Sequence, residues 1–413
     1  MIKAHMANRL KLFNIQSFKW FVLSGIFATF GNGLIYVTLS WMLLKESTSI
    51  GSQAILMTCL WAPTILLGPW LGVVADRYHR QGLTILSNLV RGFFIILYCV
   101  LSYKGYHASL YMLAAGLGLF VSIYGPAATV LIREIVPEES LLNANATIDV
   151  IYEFGSVFGM AASGLFITLF SVDTTLITGG ICFVSASLCG YLMQYIPHSF
   201  HDNLHQVKKS FKDDFINSIN YVKSNTALFN GYCVQMLIMV ILMTLPAMLA
   251  PFVKQVLNAD VTEFGYLEAL FSCGVVLGGL LSPFLVEIFG FRKILFGNLS
   301  ILVAALLLFS FSKDLHFSYI LYMLIGVTIS SWALILTKTQ ELTDITFQGR
   351  LFSTFNGAGG ILTLAIFISL MFIGNNVPAG IGYWIETLFA TVALIIFYNM
   401  KIPEEKALAI EAS

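Results

Sequence analysis

The sequence predicts an all-α membrane protein with twelve transmembrane helices, arranged as two six-helix halves. Three observations support this fold class: the composition, the spacing of the apolar runs, and the distribution of Lys and Arg. Of the 413 residues, 58% are hydrophobic and only 11% are charged, whereas soluble domains carry about 25% charged residues. A soluble fold this apolar would expose large hydrophobic patches. We therefore infer that lipid surrounds most of the surface.

A helix that crosses the hydrocarbon core of a bilayer needs about 20 predominantly apolar residues. Twelve runs of the sequence meet this requirement. They lie at 18–44, 52–75, 83–101, 108–132, 143–170, 174–196, 228–253, 264–289, 293–311, 317–337, 351–373 and 379–400.

The longest polar segment, 198–225, separates the sixth run from the seventh. We therefore predict a first half at 1–197, a linker at 198–227 and a second half at 228–413. Within the linker, apolar residues recur at helical spacing beside three lysines, which predicts an amphipathic helix on the lipid surface. A connector helix packed on the bundle is the alternative. The apolar positions are Phe211, Phe215, Ile219 and Val222.

Basic residues predict the orientation of the chain. With the N-terminus in the cytoplasm, 17 of the 22 Lys and Arg residues fall on the cytoplasmic side, four fall on the other side, and Arg91 lies within a span. This asymmetry predicts an even number of spans and two cytoplasmic termini. The first apolar run is too long for a signal-peptide core, so we expect it to be retained. We expect a monomer in the inner membrane of a bacterium.

The two halves carry an internal repeat. Gly68 and Asp76 end the second predicted span, Gly279 and Glu287 end the eighth, and both pairs are 211 residues apart. Basic residues follow each acid. Two halves that repeat six spans are typical of a secondary transporter. We therefore expect a protein that moves a small molecule across the membrane.

Other functional classes find little support. The net charge is zero, which argues against binding to nucleic acid. The sequence has no HExxH, GxSxG or P-loop motif, which argues against an enzyme. Six cysteines lie in apolar runs without a CxxC pair. Three linker histidines share one helical face, but no cysteine or acidic cluster accompanies them, so we expect no metal and no cofactor. They are His198, His201 and His205.

The stretch GVVADRYHRQ, residues 72–81, resembles the loop-two signature of the major facilitator superfamily. It departs from that signature at His79, where many members have Gly, and at Gln81, where a second basic residue is usual. The matching residues are Gly72, Asp76, Arg77 and Arg80. We expect them to form a conformational latch, with Asp76 against the N-terminal end of span eleven, where free N–H groups favour a carboxylate.

Further runs are similar to the macrolide-efflux and enterobactin-exporter-like branch of that superfamily. They are FGNGLIYVTLSWMLL, NLVRG, VPEESLLNANA, FKDDFINSINYVKSN and QGRLFS. The resemblance implies a proton-driven exporter of an amphipathic, drug-like or siderophore-like compound, working by alternating access.

Span five carries the glycines of an antiporter motif, but Met160 stands where that motif has Pro. The glycines are Gly155, Gly159 and Gly164. Close helix packing is the alternative explanation for them. The missing Pro leaves a proton-coupled importer of a siderophore or metabolite as the alternative function.

Ionisable residues inside a membrane are costly and need an explanation. Asp149 and Glu153 are four residues apart in span five, so they share one helical face. Glu153 is predicted near mid-membrane, where burial and a like-charged neighbour favour the protonated acid. We predict that Glu153 carries the coupling proton, that Asp149 tunes it, and that Arg91 of span three is its partner. A static, paired acid is the alternative.

Other polar and aromatic residues of the spans are candidates for the substrate cavity. Asn32 lies between two glycines in span one, and Tyr36 and Trp61 are predicted to line the same cavity, as is Trp41. Interfacial anchoring is the alternative for the aromatic residues. Glu268 and Glu386 lie nearer the outer ends of their spans, where snorkelling to the interface is the expected explanation.

Overall fold

The computed structural model describes residues 12–106, 109–137, 140–193, 221–222, 225–374 and 376–400. These residues form α-helices joined by short turns, and no strand occurs among them. The first half contains α1 Gln16–Glu46, α2 Ile50–Arg77, α3 Arg80–Tyr103, α4 Leu110–Ile135, α5 Leu141–Leu169 and α6 Val172–Leu192. The second half contains α7 Thr226–Gln255, α8 Val261–Phe289, α9 Phe291–Phe311, α10 Leu315–Ile329 with Ser331–Leu342, α11 Ile345–Ile373 and α12 Ala379–Tyr398.

The structure confirms the predicted fold class of twelve spans. In the described part of the chain, twelve helices are long and apolar enough to cross a membrane. The largest differences from the predicted bounds occur at polar ends, where the helix continues beyond the apolar run. α11 starts at Ile345 instead of residue 351, because the helix continues through the polar residues that precede the apolar run.

Side-chain caps at the turns explain where several helices begin. Ser49 accepts a hydrogen bond from the backbone N–H of Ser52, at 3.1 Å, and starts α2. Asp260 and Glu263 form a reciprocal capping box at the start of α8. These caps satisfy N–H groups that would otherwise have no partner at a helix start.

The two halves meet mainly through two helix pairs. α5 packs against α8, and α2 packs against α11. Within the first half α1 packs between α5 and α6, and within the second half α7 packs between α10, α11 and α12. This arrangement encloses a space between the halves.

The halves are joined at the end of the bundle where α1 ends and α2 begins, which we call the Glu46 end. Gln255 of α7 donates a hydrogen bond to the carbonyl oxygen of Thr48 at 2.5 Å. The hydroxyls of Thr168 in α5 and Thr262 in α8 are 2.9 Å apart. The distribution of basic residues predicts that the Glu46 end faces outward. On that topology the described state is closed toward the outside.

The internal repeat is visible in the helix bounds. α2 begins at Ile50 and α8 at Val261, and α3 begins at Arg80 and α9 at Phe291, so both offsets are 211 residues. The turn between the helices differs in the two copies. His79 caps α3 by accepting a hydrogen bond from Gly82 N–H at 3.1 Å. Its counterpart, Gly290, has a φ of 86°, a value that favours glycine.

The end of the linker packs on the second half. Val222 is buried among residues of α7 and α11. The Tyr221 ring stacks on Phe347 at 4.4 Å, and its hydroxyl accepts a hydrogen bond from the Asp344 N–H at 3.1 Å. Val222, one of the four predicted apolar positions, thus packs on the bundle, as in the alternative of a connector helix. The rest of the predicted amphipathic helix, Phe211 to Ile219, and the three linker histidines lie outside the described residues.

Candidate functional site

A cavity of about 490 Å³ lies between the two halves. Helices α1 to α6 of the first half and α7 and α8 of the second half contribute to its wall. This volume falls within the range of small-molecule sites, roughly 300–1,000 Å³. Most lining side chains are apolar or aromatic, among them Leu60, Trp61, Met160, Phe183 and Phe271. The few polar side chains therefore determine what the cavity can bind.

The structure brings five of the predicted site residues together around this cavity. They are Asn32, Tyr36, Trp61, Arg91 and Glu153. Asn32 and Glu153 are exposed toward it, and Tyr36 is half-buried. The side chain of Asp149, the proposed neighbour of Glu153, lies outside the part of the chain that is described.

Arg91 is buried behind Asn32 and is only 1% exposed. Its guanidinium donates one hydrogen bond to Asn32 Oδ1, at 3.1 Å, and another to Asn88 Oδ1. The guanidinium carbon lies 4.3 Å from the centre of the Phe183 ring and 5.5 Å from that of Tyr124. Amide dipoles and aromatic faces therefore stabilise this cation.

The predicted pairing of Arg91 with Glu153 is not seen in this state. Among the described side chains, no carboxylate oxygen lies within 4.0 Å of an Arg91 nitrogen, and the Nε atom has no hydrogen-bond partner. Arg91 projects from α3 onto the adjacent Asn32 of α1, which occupies the position expected for a carboxylate. The coupling role of Glu153 stays a prediction.

The position of Glu268 differs from the one expected from the sequence. Snorkelling to the interface was the expected explanation for this residue, but Glu268 is only 5% exposed and lines the cavity. Its Oε1 accepts a hydrogen bond of 2.6 Å from the Tyr36 hydroxyl. This bond joins α1 to α8 and hence the first half to the second. The sequence signal was an acid within a long apolar run.

Glu386 is also buried, with 0% exposure, so the interface explanation is wrong here as well. Its Oε1 accepts a hydrogen bond of 2.6 Å from the Thr244 hydroxyl, and its Oε2 has no hydrogen-bond partner. Glu386 is the eighth residue of α12, just as Glu268 is the eighth residue of α8. Unlike Glu268, it does not line the cavity. It is therefore a matched reference for Glu268.

Trp41 contacts the other half rather than lipid. Its side chain is buried, and its ring stacks on Phe264 of α8 with ring centres 6.5 Å apart. The Lys254 ammonium lies 5.3 Å from the centre of the Trp41 ring. Trp41 thus helps to close the Glu46 end above the cavity.

The loop-two signature is only partly within the described side chains. Arg80 forms an ion pair of 3.3 Å with Glu134 at the end of α4, within the first half. The surroundings of Gly72 and the side chains of Asp76 and Arg77 lie outside the described part of the structure, so the latch stays a prediction.

The two departures from the loop-two signature have structural roles. His79 caps α3, as described above. Gln81 donates hydrogen bonds to the carbonyl oxygens of Gly190, at 2.8 Å, and Met193, at 2.9 Å. A neutral amide at position 81 therefore satisfies the last carbonyl groups of α6.

The glycines of α5 lie at helix contacts. A Cβ atom on Gly159 would clash with the backbone of Phe30 in α1, and one on Gly155 would clash with Thr29. A Cβ on Gly164 would lie 2.7 Å from the Thr262 Cα of α8, in the other half. These contacts favour the packing explanation for the glycine pattern.

In the described part of the chain, twelve helices that could cross a membrane form two repeated halves around a central cavity, which is the arrangement of secondary transporters. Comparison with known proteins places it in a family. Residues 21–249, more than half of the chain, match the Major Facilitator Superfamily. The chain belongs to this superfamily, a family of membrane transporters.

Curated relatives are distant. An uncharacterised MFS-type transporter of Bacillus subtilis (strain 168), YfiS, is 31% identical over 141 residues, about a third of each chain. The candidate bacilysin exporter BacE of the same strain is 26% identical over 318 residues, or 74% of this chain and 75% of BacE. The staphyloferrin A transporter of Staphylococcus aureus (strain NCTC 8325 / PS 47) is 24% identical over 177 residues, or 41% and 44% of the two chains.

A solved structure supports the fold. The crystal structure of the nucleoside transporter NupG aligns with 95% of this chain and 98% of its own, with a TM-score of 0.66 and 14% sequence identity. At this identity the likeness concerns the fold alone.

Proposed function

We propose that this chain is a proton-coupled exporter of a small molecule that works by alternating access in the cytoplasmic membrane of a bacterium. The observation that carries the proposal is the cavity between the halves, with the carboxyl groups of Glu153 in α5 and Glu268 in α8 on its wall. A carboxyl group at this depth can exchange a proton with whichever side the cavity faces. Substrate and proton would then share one site that opens to each side in turn.

Glu268 joins Glu153 as a candidate for the coupling group. Its side chain is buried, and its hydrogen bond from Tyr36 connects the two halves. When the halves move apart at the Glu46 end, this bond must break and the carboxyl must find another partner. The proton affinity of Glu268 is therefore linked to the relative position of the halves, as coupling requires.

Export is the preferred direction. The likeness to BacE, which extends over three quarters of each chain, supports an exporter. The likeness to the staphyloferrin A transporter supports a siderophore-like substrate. Met160, at the position of the motif Pro, supports the alternative of a proton-coupled importer, because it leaves the antiporter motif incomplete.

Inside-out vesicles test both direction and coupling. We expect accumulation of a probe, chosen from bacilysin, staphyloferrin A and ethidium, when the lumen is acidic, and no accumulation after a protonophore is added. Accumulation only in right-side-out vesicles would establish import instead. Accumulation that survives the protonophore would contradict proton coupling.

Two single substitutions separate the candidate coupling groups. Glu153→Gln and Glu268→Gln each keep the shape of the side chain but cannot titrate. The coupling group is the one whose Gln variant loses gradient-driven accumulation at least tenfold while keeping downhill exchange of the probe. Glu386→Gln is the control, because Glu386 is buried like Glu268 but lies away from the cavity. If both cavity variants still accumulate the probe, coupling by a cavity carboxyl is wrong.

A further inference from the structure

The first-half wall of the cavity contains a buried cation without a described counter-ion. Arg91 lines the cavity at 1% exposure, and its Nε has no hydrogen-bond partner. Its two polar partners are neutral amide oxygens. A buried charge is costly unless it is paired. Among the described side chains, Arg91 therefore has no direct ion-pair partner.

Asn32 transmits this charge to the cavity. A guanidinium has only donors, so the Asn32 oxygen faces Arg91 and its NH₂ group points away from it. Asn32 is exposed toward the cavity. The cavity thus presents an N–H donor with a positive charge directly behind it, an arrangement that favours an anionic group.

The second-half wall contributes a carboxyl group, in addition to that of Glu153 on α5 of the first half. Glu268 accepts one hydrogen bond from Tyr36, and no ion pair of the described residues includes it. The nearby basic residue of α7, Lys254, contacts Asp260 at 3.4 Å and the Trp41 ring. The Glu268 carboxyl therefore remains available to a cationic group that enters the cavity.

Helix α1 determines the distance between the group that would bind an anion and the group that would bind a cation. Asn32, which accepts a hydrogen bond from Arg91, lies at the positively charged side of the cavity. Tyr36, which donates a hydrogen bond to Glu268, lies at the negatively charged side. Residues four apart on a helix lie on one face, separated by about 6 Å along the axis. This spacing suits a molecule whose charged groups are a few bonds apart.

We propose that the substrate is amphoteric and of peptide-like size, with its anionic group on Asn32 and Arg91 and its cationic group on Glu268. The proposal rests on the proposed function insofar as it takes this cavity as the transport site. It adds that the cationic group replaces the proton on Glu268. Substrate binding then releases the proton: the substrate anion pairs with the Arg91 charge, the substrate cation pairs with the ionised Glu268, and the net charge of these groups falls by the one proton released.

The probe is radiolabelled alanyl-alanine, in counterflow experiments on proteoliposomes containing the full chain. N-acetyl-alanyl-alanine lacks the cation, alanyl-alanine amide lacks the anion, and tetraphenylphosphonium is a lipophilic cation. We expect the free dipeptide to exchange and each capped form to compete at least tenfold more weakly.

Two substitutions test which residue binds each charged group of the substrate. Asn32→Asp places a carboxylate beside Arg91. It should therefore weaken binding of the free dipeptide at least tenfold but leave binding of alanyl-alanine amide unchanged. Glu268→Gln should remove the preference for alanyl-alanine over N-acetyl-alanyl-alanine. Glu386→Gln should leave both preferences as in the unmodified protein. A structural defect would instead weaken all compounds alike.

If the capped peptides compete as well as the free dipeptide, the proposal that the substrate is amphoteric is wrong. Proton-driven transport of tetraphenylphosphonium without exchange of the dipeptide would also overturn it, while leaving the proposed function intact. Loss of gradient-driven transport for every probe would instead contradict the proposed function. If the Asn32→Asp variant does not reach the membrane, competition by the capped peptides in the unmodified protein still tests whether the substrate is amphoteric.

Discussion

At the residue scale, the hydrogen bond from Tyr36 to Glu268 is a contact between a phenol and a buried carboxyl that belong to different halves. It lies beside the cavity and below the contacts of Trp41, Phe264 and Lys254 at the Glu46 end. A substrate that binds Glu268 competes with Tyr36 for the same oxygen atoms. The residue that recognises the substrate can therefore also change the contact between the halves.

Tyr36→Phe should weaken the state that is closed at the Glu46 end. Removing one partner of a buried polar group costs about 1–3 kcal/mol, so we expect a lower melting temperature in detergent. A cysteine placed at Ser272, in a background without the native cysteines, should react faster with an impermeant maleimide added from the Glu46 side. Tyr383→Phe is the control, because the buried Tyr383 hydroxyl has no hydrogen-bond partner. Equal effects of the two substitutions would contradict a role for the bond in closure.

At the element scale, α5 is fixed by glycines on two of its faces. Gly155 and Gly159 allow close approach to α1 within the first half, and Gly164 allows close approach to α8 in the second half. Helices in a membrane gain stability from such close packing because lipid supplies no hydrophobic driving force between them. Glu153, on the same helix, is thereby held at the cavity wall.

Gly159→Ala should destabilise the protein. The added methyl group would meet the backbone of Phe30, which cannot move without shifting α1, and such overpacking costs about 1–3 kcal/mol. We expect a drop of several degrees in the thermal unfolding midpoint in detergent. Gly297→Ala in α9 is the control, because its Cβ would meet no atom within 4 Å and alanine favours a helix. A Gly159→Ala variant as stable as the control would show that α1 and α5 are not tightly packed.

At the scale of the whole molecule, lipid and the distribution of charge determine the architecture. The helices present apolar side chains to the outside, and the buried polar groups lie between helices or on the cavity. Basic residues concentrate at one predicted face, which is the basis for the expected orientation. That orientation decides which compartment the closed Glu46 end faces.

Reporter fusions test the orientation. A cytoplasmic reporter fused after Met400 or inserted in the linker should be active, because 17 of the 22 basic residues predict that both lie in the cytoplasm. The same reporter inserted at Thr48 should be inactive, since that turn joins α1 and α2 at the Glu46 end. An active reporter at Thr48 would reverse the topology and with it the side toward which this state is closed.

The sequence predicts the spans well because membrane thickness fixes their length and composition locally. It also predicts Asn32, Tyr36, Trp61, Arg91 and Glu153 as residues near the cavity, because polar or bulky groups inside spans need a protein environment. The depth of such a group can be estimated from its place in a helix. Its partner cannot, because the partner comes from another helix.

Glu268 illustrates this limit. Its position near the start of α8 suggests an interfacial residue, but the packing of Tyr36 and Phe264 between the halves buries it. Arg91 shows the reverse case: an acid was the expected partner, and an asparagine of the neighbouring helix occupies that place. Both outcomes depend on which helix faces are in contact, and one sequence alone does not contain this information.

The equal offset of α2 and α3 from α8 and α9 has a consequence for which changes in length this segment tolerates. Thirty residues separate the start of α2 from that of α3, and the same number separates α8 from α9. Inserting one residue in either turn would rotate the following helix by about 100° and move its buried face toward lipid. The equivalent turn residues are His79 and Gly290, and α8 is one residue longer than α2, yet the spacing between the helix starts is the same. In this segment the two halves keep the same register of helix starts, while each turn reaches it with a different residue, a capping histidine in one and a positive-φ glycine in the other.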